Sequence, residues 1–389
     1  MSNNRIPYGR QDINEDDIAA VVAALKSDFL TQGPEVPRFE QAVSQYCGAA
    51  HAVAVNSATS ALHIACLALG LKAGDLLWTT PITFVASANC ARYCGADVDF
   101  VDIDPVTSNL SPAALSKKLE TAKKAGRLPK ILVAVHLSGE PCDMQKLAAL
   151  CAEYDVKIIE DASHAIGGRY GAGSIGNCAH SAITIFSFHP VKIVTSAEGG
   201  MAVTNDLELA EAMRLLRSHG ITRDPAKMLN VPHGPWYYEQ LILGFNYRMT
   251  DIQAALGTSQ MTRLDQFMRR RHELADRYDE LLADFPVVTP HRNKENYSGL
   301  HLYVIRVPDR AGKPGRDDVF ARLQAAGIGV NLHYMPVHLQ PYYRDHGQGN
   351  KSFPEAEAYY REAITLPLYP GLSDADQDRV VAALDAALA

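Results

Sequence analysis

The sequence predicts an α/β protein, with a mostly parallel central sheet in a large domain and a smaller α+β domain at its C-terminal end. Three observations carry that reading. From about residue 51, short β-branched or apolar runs alternate with longer stretches of helical period, which is the pattern of βαβ units covered on both faces. The segment from Thr250 to Asp284 reads as one charged helix, long enough at ~1.5 Å per residue to bridge two lobes. Beyond it, HLYVIRV, a helical stretch from Arg316, GVNLHY and a closing helix from Ser373 form a second, smaller set of elements. The expected division is 1–255, including an N-terminal arm, and 256–389.

Taken in order, HAVAV opens the sheet and SATSALHIACLALGL follows as a helix. There Leu62, Ala65, Cys66 and Leu69 recur at the spacing of one buried face. The strand-like runs DLLWTT, DVDFVDI, KILVAVH and VKIIED come next, separated by TFVASANCARYCG and by a Leu-rich stretch from Ser111. AITIFSF and GMAVTND have no helix between them, so one strand of the sheet is expected to run against the rest. DPAKMLNVPHGPWYYEQ, rich in Pro, Gly and aromatics, reads as an ordered insertion near a site. The RRR run in the long helix is balanced by nearby Asp and Glu and reads as a solvated face.

Composition narrows the function. The 389 residues carry 37 Lys+Arg and 44 Asp+Glu, a formal charge of −7, which argues against a dedicated nucleic-acid binder. Hydrophobic residues make up 47% and charged residues 21%, as in a globular chain rather than a disordered one. No apolar run approaches the ~18 residues of a membrane span, and MSNNRIPYGRQDINEDD lacks a signal-peptide core, so a cytoplasmic enzyme is expected. The seven cysteines are unpatterned. Cys90 and Cys94 lie a helical turn apart, but no second Cys/His pair follows at zinc spacing, so buried free thiols and no metal are expected.

Three features carry chemistry. Asn56-Ser57-Ala58-Thr59-Ser60 joins a strand to a helix, where free backbone N–H groups and the helix dipole favour a phosphate; alone, it reads as an ordinary N-cap. VKIIED ends in Glu160-Asp161 at the sheet edge where ligands gather in parallel α/β folds. The pleat turns the two carboxylates to opposite faces, though an aspartate there is more often a cap. In SFHPVKIVTSAEGG, Lys192 is flanked by Pro190, Val191, Ile193 and Val194. A lone lysine is usually solvated, but this setting desolvates the ammonium, as a Schiff-base lysine requires. Together the three meet the needs of pyridoxal 5'-phosphate: a phosphate cradle, a carboxylate for the ring nitrogen and an amine for the aldehyde.

The motifs FLTQGPEVPRFE, NSATSALHIA, PITFVASAN, IIEDASHAIGG, FSFHPVK, EGGMAVTND, GFNYRMTDIQAALG and HLYVIRV, in order along nearly the whole chain, resemble the DegT/DnrJ/EryC/StrS sugar aminotransferases, which are fold-type-I pyridoxal-phosphate enzymes. IPYGRQDI, RSHGITRDP, GIGVNLHYMPVH and ITLPLYPGL are similar to those members that act in pseudaminic acid biosynthesis. The resemblance implies transfer of an amino group from L-glutamate to the C4 ketone of a UDP-linked 4-keto-6-deoxy-N-acetylhexosamine, with the pyridoxamine form of the cofactor between half-reactions. It implies that Lys192 is the cofactor-bearing lysine and proton carrier and that Asp161 pairs with the pyridinium nitrogen. His164 would lie against the ring and Phe84 would cover one of its faces. Ala58, Thr59 and Ser187 would hold the phosphate, and Asn246 would reach it from the other subunit of a homodimer.

Around the sugar nucleotide the resemblance places Tyr8, Asp28, Phe29, Leu30, Thr31, Asn331, Leu332, His333 and Tyr334, with Arg248 as an anion contact. Glu140 stands where Gln is frequent, which weakens any role for it near a phosphate. Dehydrating relatives carry His in place of the lysine, so Lys192 favours transamination. Legionaminic, perosamine or 4-amino-arabinose aminotransferases would share the same cofactor motifs. A nicotinamide oxidoreductase would need a G-x-G-x-x-G turn where NSATS stands.

Overall fold

The computed structural model describes residues 5–389. Its central sheet holds β1 (His51–Val55), β2 (Leu76–Thr79), β3 (Asp97–Phe100), β4 (Ile131–Val135), β5 (Lys157–Asp161), β6 (Ile183–Ser187) and β7 (Gly200–Thr204). Their order is β1-β7-β6-β5-β4-β2-β3. β7 runs antiparallel to both of its neighbours and the other pairings are parallel, so the strand expected to oppose the rest is β7.

The residues alternate between two helical layers, as the pleat demands. Val53, Val55, Ile159 and Ile185 face α3 (Ala58–Ala68), α4 (Ala86–Tyr93) and α7 (Leu207–Arg217). On the opposite face, Trp78, Leu132 and Ile158 pack on α5 (Pro112–Lys124) and α6 (Met144–Ala152). Ala52, Phe186 and Met201 of the same face meet α2 (Glu35–Cys47) and the residues of α8 (Asp251–Met261) and α9 (Leu264–Leu281). α1 (Glu15–Leu25) lies on α8.

Four expectations need correction or completion. α3 is buried from Ser60 through Cys66 rather than along one stripe, and Leu69 is only half-buried at its C-cap. The reason is that the helix is wedged between the sheet and both α4 and α7. The Thr250–Asp284 helix is two helices, α8 and α9, parted at Thr262 and Arg263. The backbone tightens there, Thr262 N–H to the Ser259 carbonyl and Arg263 N–H to the Gln260 carbonyl, while Thr262 Oγ1 also donates to Ser259 and Arg263 turns to Asp12 and the fully buried Asp17. GVNLHY forms no strand; within it only Asn331 makes a bridge, to Thr365, and Ile328 just before it bridges Ile6. β8 (Tyr303–Arg306) pairs instead with β9 (Ala363–Leu366), which follows α11 (Pro354–Glu362). β9 is a four-residue, wholly buried run ended by Pro367, too short to show alternation.

A separate core joins Leu274 and Tyr278 of α9 to β8, β9, α10 (Arg316–Ala325) and α12 (Asp374–Leu388), with Ile6 of the N-terminal arm inserted into it. The insertion at 224–240 is ordered. Glu239 collects the backbone N–H groups of Leu229 and Asn230 and the Tyr237 hydroxyl, while Leu229, Val231 and Trp236 stay exposed. All seven cysteines are free thiols. Among the described residues, no helix is long and apolar enough to cross a membrane.

Candidate active site

At the carboxyl ends of β5 and β6 lies a cavity of about 550 Å³. It is where a doubly covered parallel sheet leaves room for a ligand. Seven of the residues expected to hold the cofactor line it: Ala58, Thr59, Phe84, Asp161, His164, Ser187 and Lys192. Tyr8, Asn331, Leu332, His333 and Tyr334, expected around the sugar, line the same cavity.

Its deepest acid is Asp161. The carboxylate accepts from Ser87 Oγ at 2.6 Å, Ser163 Oγ at 2.6 Å and the Ser163 N–H at 3.1 Å, so it is aimed and held. Glu160 goes the other way, as the pleat requires. It accepts from His136 Nε2 at 2.8 Å, Ser181 Oγ at 2.5 Å and Thr184 Oγ1 at 3.2 Å. Burial opposes its charge, but the His136, Ser181 and Thr184 bonds outweigh that and hold the carboxyl below its ordinary range. His136 Nδ1 already takes the Cys142 N–H, so the ring keeps its one proton on Nε2 for Glu160. This pair fastens β4 to β5 behind the site, and Asp161 alone faces the ligand space.

The phosphate end is built by the start of α3. Ser57 caps the helix by accepting from Ser60 N at 3.1 Å, and Ser60 Oγ donates to Asn56 Oδ1 at 2.7 Å. The Ala58 and Thr59 amides belong to the first turn, which has no intrahelical acceptors, and both residues border the cavity with Ser187. The Glu-Gly-Gly turn has a steric cause. A Cβ on Gly200 would sit 2.4 Å from the Ser57 carbonyl and 2.5 Å from the Ala58 nitrogen, so the cradle can form only over glycine.

Lys192 lies across the cavity, with Nζ 3.5 Å from His301 Nε2. Burial pushes its ammonium down to about 8, with Asp161 pulling the other way. Burial and the Lys192 charge also keep His164 and His301 well below the usual histidine range, and they push His333 down to about 3. His164 Nδ1 accepts from the Ser138 N–H at 3.2 Å, and its Nε2 lies 3.2 Å from the Tyr334 hydroxyl. Three neutral imidazoles and one amine with a lowered pKa therefore surround the space. Phe84 opens onto it with 57% of its surface exposed, a flat apolar wall for an aromatic ring.

Six expected residues are not in this cavity. Asp28, Phe29, Leu30 and Thr31 form an exposed strap beside the 246–251 segment, where Thr31 bridges Thr250 and the Asp251 N–H donates to the Leu30 carbonyl at 3.0 Å. Asn246 is exposed and bridges Ser218. Arg248 borders a separate, smaller hollow with Gln32, Gly33 and Arg217. Glu140 lies outside the main cavity as well, bonded to Asn293 N and Asn296 Nδ2 at 3.3 Å each.

Sequence reasoning missed Ser87, Ser163, His189, Glu198 and His301. Ser163 could have been found as the hydroxyl two residues after a strand-end aspartate, an Asx-type turn. His301 was legible only as a polar residue opening an otherwise apolar strand.

A profile of the DegT/DnrJ/EryC1/StrS aminotransferase family matches residues 11–385. The spore coat polysaccharide biosynthesis protein SpsC of Bacillus subtilis is 37% identical over 385 residues, covering 98% of this chain and 97% of its own. Among solved structures, Helicobacter pylori PseC, an aminotransferase involved in the biosynthesis of pseudoaminic acid, superposes with a TM-score of 0.90 at 29% identity over 99% of both chains. The sugar aminotransferase Spr1654 of Streptococcus pneumoniae, solved in both pyridoxamine- and pyridoxal-phosphate forms, is 30% identical in the first form, with a TM-score of 0.88 over 98% of both chains. With the fold, the phosphate cradle and the buried lysine in place, these matches mean that the chain belongs to the DegT/DnrJ/EryC1/StrS family, as a pyridoxal-phosphate-dependent sugar aminotransferase.

Proposed function

We propose that the enzyme moves an amino group from L-glutamate to the C4 ketone of a UDP-linked 4-keto-6-deoxy-N-acetylhexosamine, the amination step of a pseudaminic acid pathway. The observation that carries this reading is the rim of the cavity. Tyr8 and the run Asn331-Leu332-His333-Tyr334, both within phrases resembling the pseudaminic branch, stand over the cofactor end. The likeness to PseC over 99% of both chains supports it.

The residues present fit the cofactor. The Ala58 and Thr59 amides and Ser187 would hold its phosphate, Asp161 would pair with its ring nitrogen, and Lys192 would carry its aldehyde. When bound, the cofactor supplies an electron sink that makes a neighbouring C–H proton removable. Asp161 holds the ring nitrogen protonated, and Ser87 and Ser163 keep the carboxylate from rotating away. Burial lowers the Lys192 ammonium to about 8, so the free amine is reached far more readily than in a solvated lysine, and Nζ can carry a proton from one carbon flanking the transferred nitrogen to the other. Phe84 covers the ring, and Tyr334, hydrogen-bonded to His164, closes the wall nearest the sugar.

We further propose a homodimer in which the 28–31 strap, Asn246 and Arg248 complete the partner's cavity. In this reading the chain divides into a cofactor-binding domain, 1–255, and a smaller domain, 256–389, that covers the sugar. The residues' distance from their own cavity and the exposure of Phe29 (52%) and Leu30 (47%) support the dimer.

A second reading, a related nucleotide-sugar aminotransferase of legionaminic, perosamine or 4-amino-arabinose type, would share the cofactor site, and the 37% identity to SpsC, named for spore coat polysaccharide and not for pseudaminic acid, keeps the sugar open to test. Purified enzyme incubated with glutamate and a panel of 4-keto sugar nucleotides, scored by product mass, separates the two. Amination of the UDP-linked 4-keto-6-deoxy-N-acetylhexosamine above the others is expected. Robust turnover of another sugar, with none of that one, would overturn the narrow reading.

A further inference from the structure

Resting on the assignment of Lys192 above, we infer that His301 is a positioning residue: its Nε2 holds Nζ of Lys192 toward the cavity whenever that amine is not joined to the cofactor. The hydrogen-bond partners of the neighbouring imidazoles single out His301. Four imidazoles lie around Lys192; one of them, His189, is half-exposed and sets its Nε2 4.0 Å from Glu198. His164 has both nitrogens engaged, by the Ser138 N–H and the Tyr334 hydroxyl. Both nitrogens of His333 are engaged as well, by Thr365 Oγ1 at 2.8 Å and Asn331 Nδ2 at 3.4 Å. His301 has Lys192 on Nε2 and nothing on Nδ1, which is buried without a partner. It alone has a ring nitrogen committed to the amine.

An imidazole kept in this state is not a space filler. With Nε2 accepting from Nζ, the single ring proton sits on Nδ1, where it is buried and unanswered. Phe or Leu would fill the same volume without orphaning a donor. The backbone beneath is also fixed. Arg271, 1% exposed on α9, donates to the carbonyls of Leu300 at 3.2 Å, His301 at 3.3 Å and Leu368 at 3.1 Å. Leu300 itself is held in left-handed backbone at φ 44°, next to the residue that must be aimed. The charged and titratable groups facing the pair are Asp161 and His189, the latter beside Glu198, on the Lys192 side, and His164, His333 and Arg271 around His301.

The test uses three variants: His301→Phe, His301→Asn, whose amide is too short to reach Nζ, and His301→Gln, whose amide can replace Nε2. In the full-length chain stripped of cofactor, brief acetic anhydride pulses across pH, with the Lys192 peptide read by mass spectrometry, give the midpoint at which the amine becomes free. Loss of the acceptor lowers that midpoint by roughly 0.5–1 pH unit in Phe and Asn, and Gln restores it. In the loaded enzyme, kcat falls about tenfold in Phe and Asn with KM for the donor nearly unchanged, and recovers to within about threefold in Gln.

If Phe does not fold, Asn carries the same expectation. An unmoved midpoint and kcat in Phe and Asn would overturn the proposal. So would equal impairment of Gln and Phe with no change of midpoint, since that is the signature of packing alone. If the wild-type chain fails to bind pyridoxal phosphate through Lys192, the functional reading falls instead, while the labelling still reports on the His301 contact.

Discussion

The cavity beneath β5 and β6 and the outer strap of residues 28–31 with 246–248 differ in what a single chain completes. In the cavity the polar groups are fixed around the ligand space: Asp161 is held by two serines, the α3 amides are open, and Lys192 faces His301, whose Nδ1 is left without a partner. In the strap the backbone is tied down, while Phe29, Leu30 and Asn246 are exposed and none of them lines the cavity. The cavity gathers the lysine, the aspartate and the helix start in one chain, whereas the strap leaves exposed the apolar surface that the proposed dimer would cover.

The largest effect expected separates the chemistry from everything else. Lys192→Ala should lower amino transfer by at least ~10³-fold in a single-turnover assay, because both the covalent anchor and the proton carrier go. Asp161→Asn should cost about 10²-fold in kcat with the fold intact, since the ring nitrogen loses its compensating charge. Loss from neither change would mean that the cavity is not the centre. The strap is tested by hybrids. An Asn246→Ala, Arg248→Ala chain and a Lys192→Ala chain, each impaired alone, should regain roughly a quarter of wild-type activity when mixed, because random two-fold pairing restores one intact site in half the dimers. Hybrids confirmed by mass, with no activity regained, would leave the strap without this role.

Smaller effects probe the cradle and the buried amine. Gly200→Ala, whose new methyl meets the Ser57 carbonyl, should weaken cofactor binding about tenfold by equilibrium dialysis. Lys192→Met should raise the Tm of the cofactor-free chain by a few degrees at pH 7. The sign follows from linkage: the folded pKa, about 8, lies below the unfolded value of ~10.4, so the cost of the buried ammonium is fully present below pH 8. That cost fades as pH rises from 8 toward 10.4, and the Tm difference should shrink over that window.

What could be read in the sequence follows the range of the interactions. Strand parity separates Asp161 from Glu160, and apolar neighbours mark Lys192; both signals lie within a few residues. The parallel sheet with one opposed strand was legible for the same reason. Ser87 meets Asp161 across 74 positions and His301 meets Lys192 across 109, and no local pattern encodes either contact. The break at Thr262 was hidden because its cause, Arg263 reaching back to Asp12 and Asp17, is also long-range. The strap could be named by resemblance, but its proposed role depends on a second subunit, which no pattern within one chain encodes.

The most direct measurement is borohydride reduction of the purified enzyme followed by peptide mapping. Bleaching of a visible absorbance, with the reduced cofactor found on the peptide containing Lys192, is the result expected. Cofactor recovered on another lysine, or bound cofactor that borohydride attaches nowhere, would contradict the assignment on which the mechanism stands.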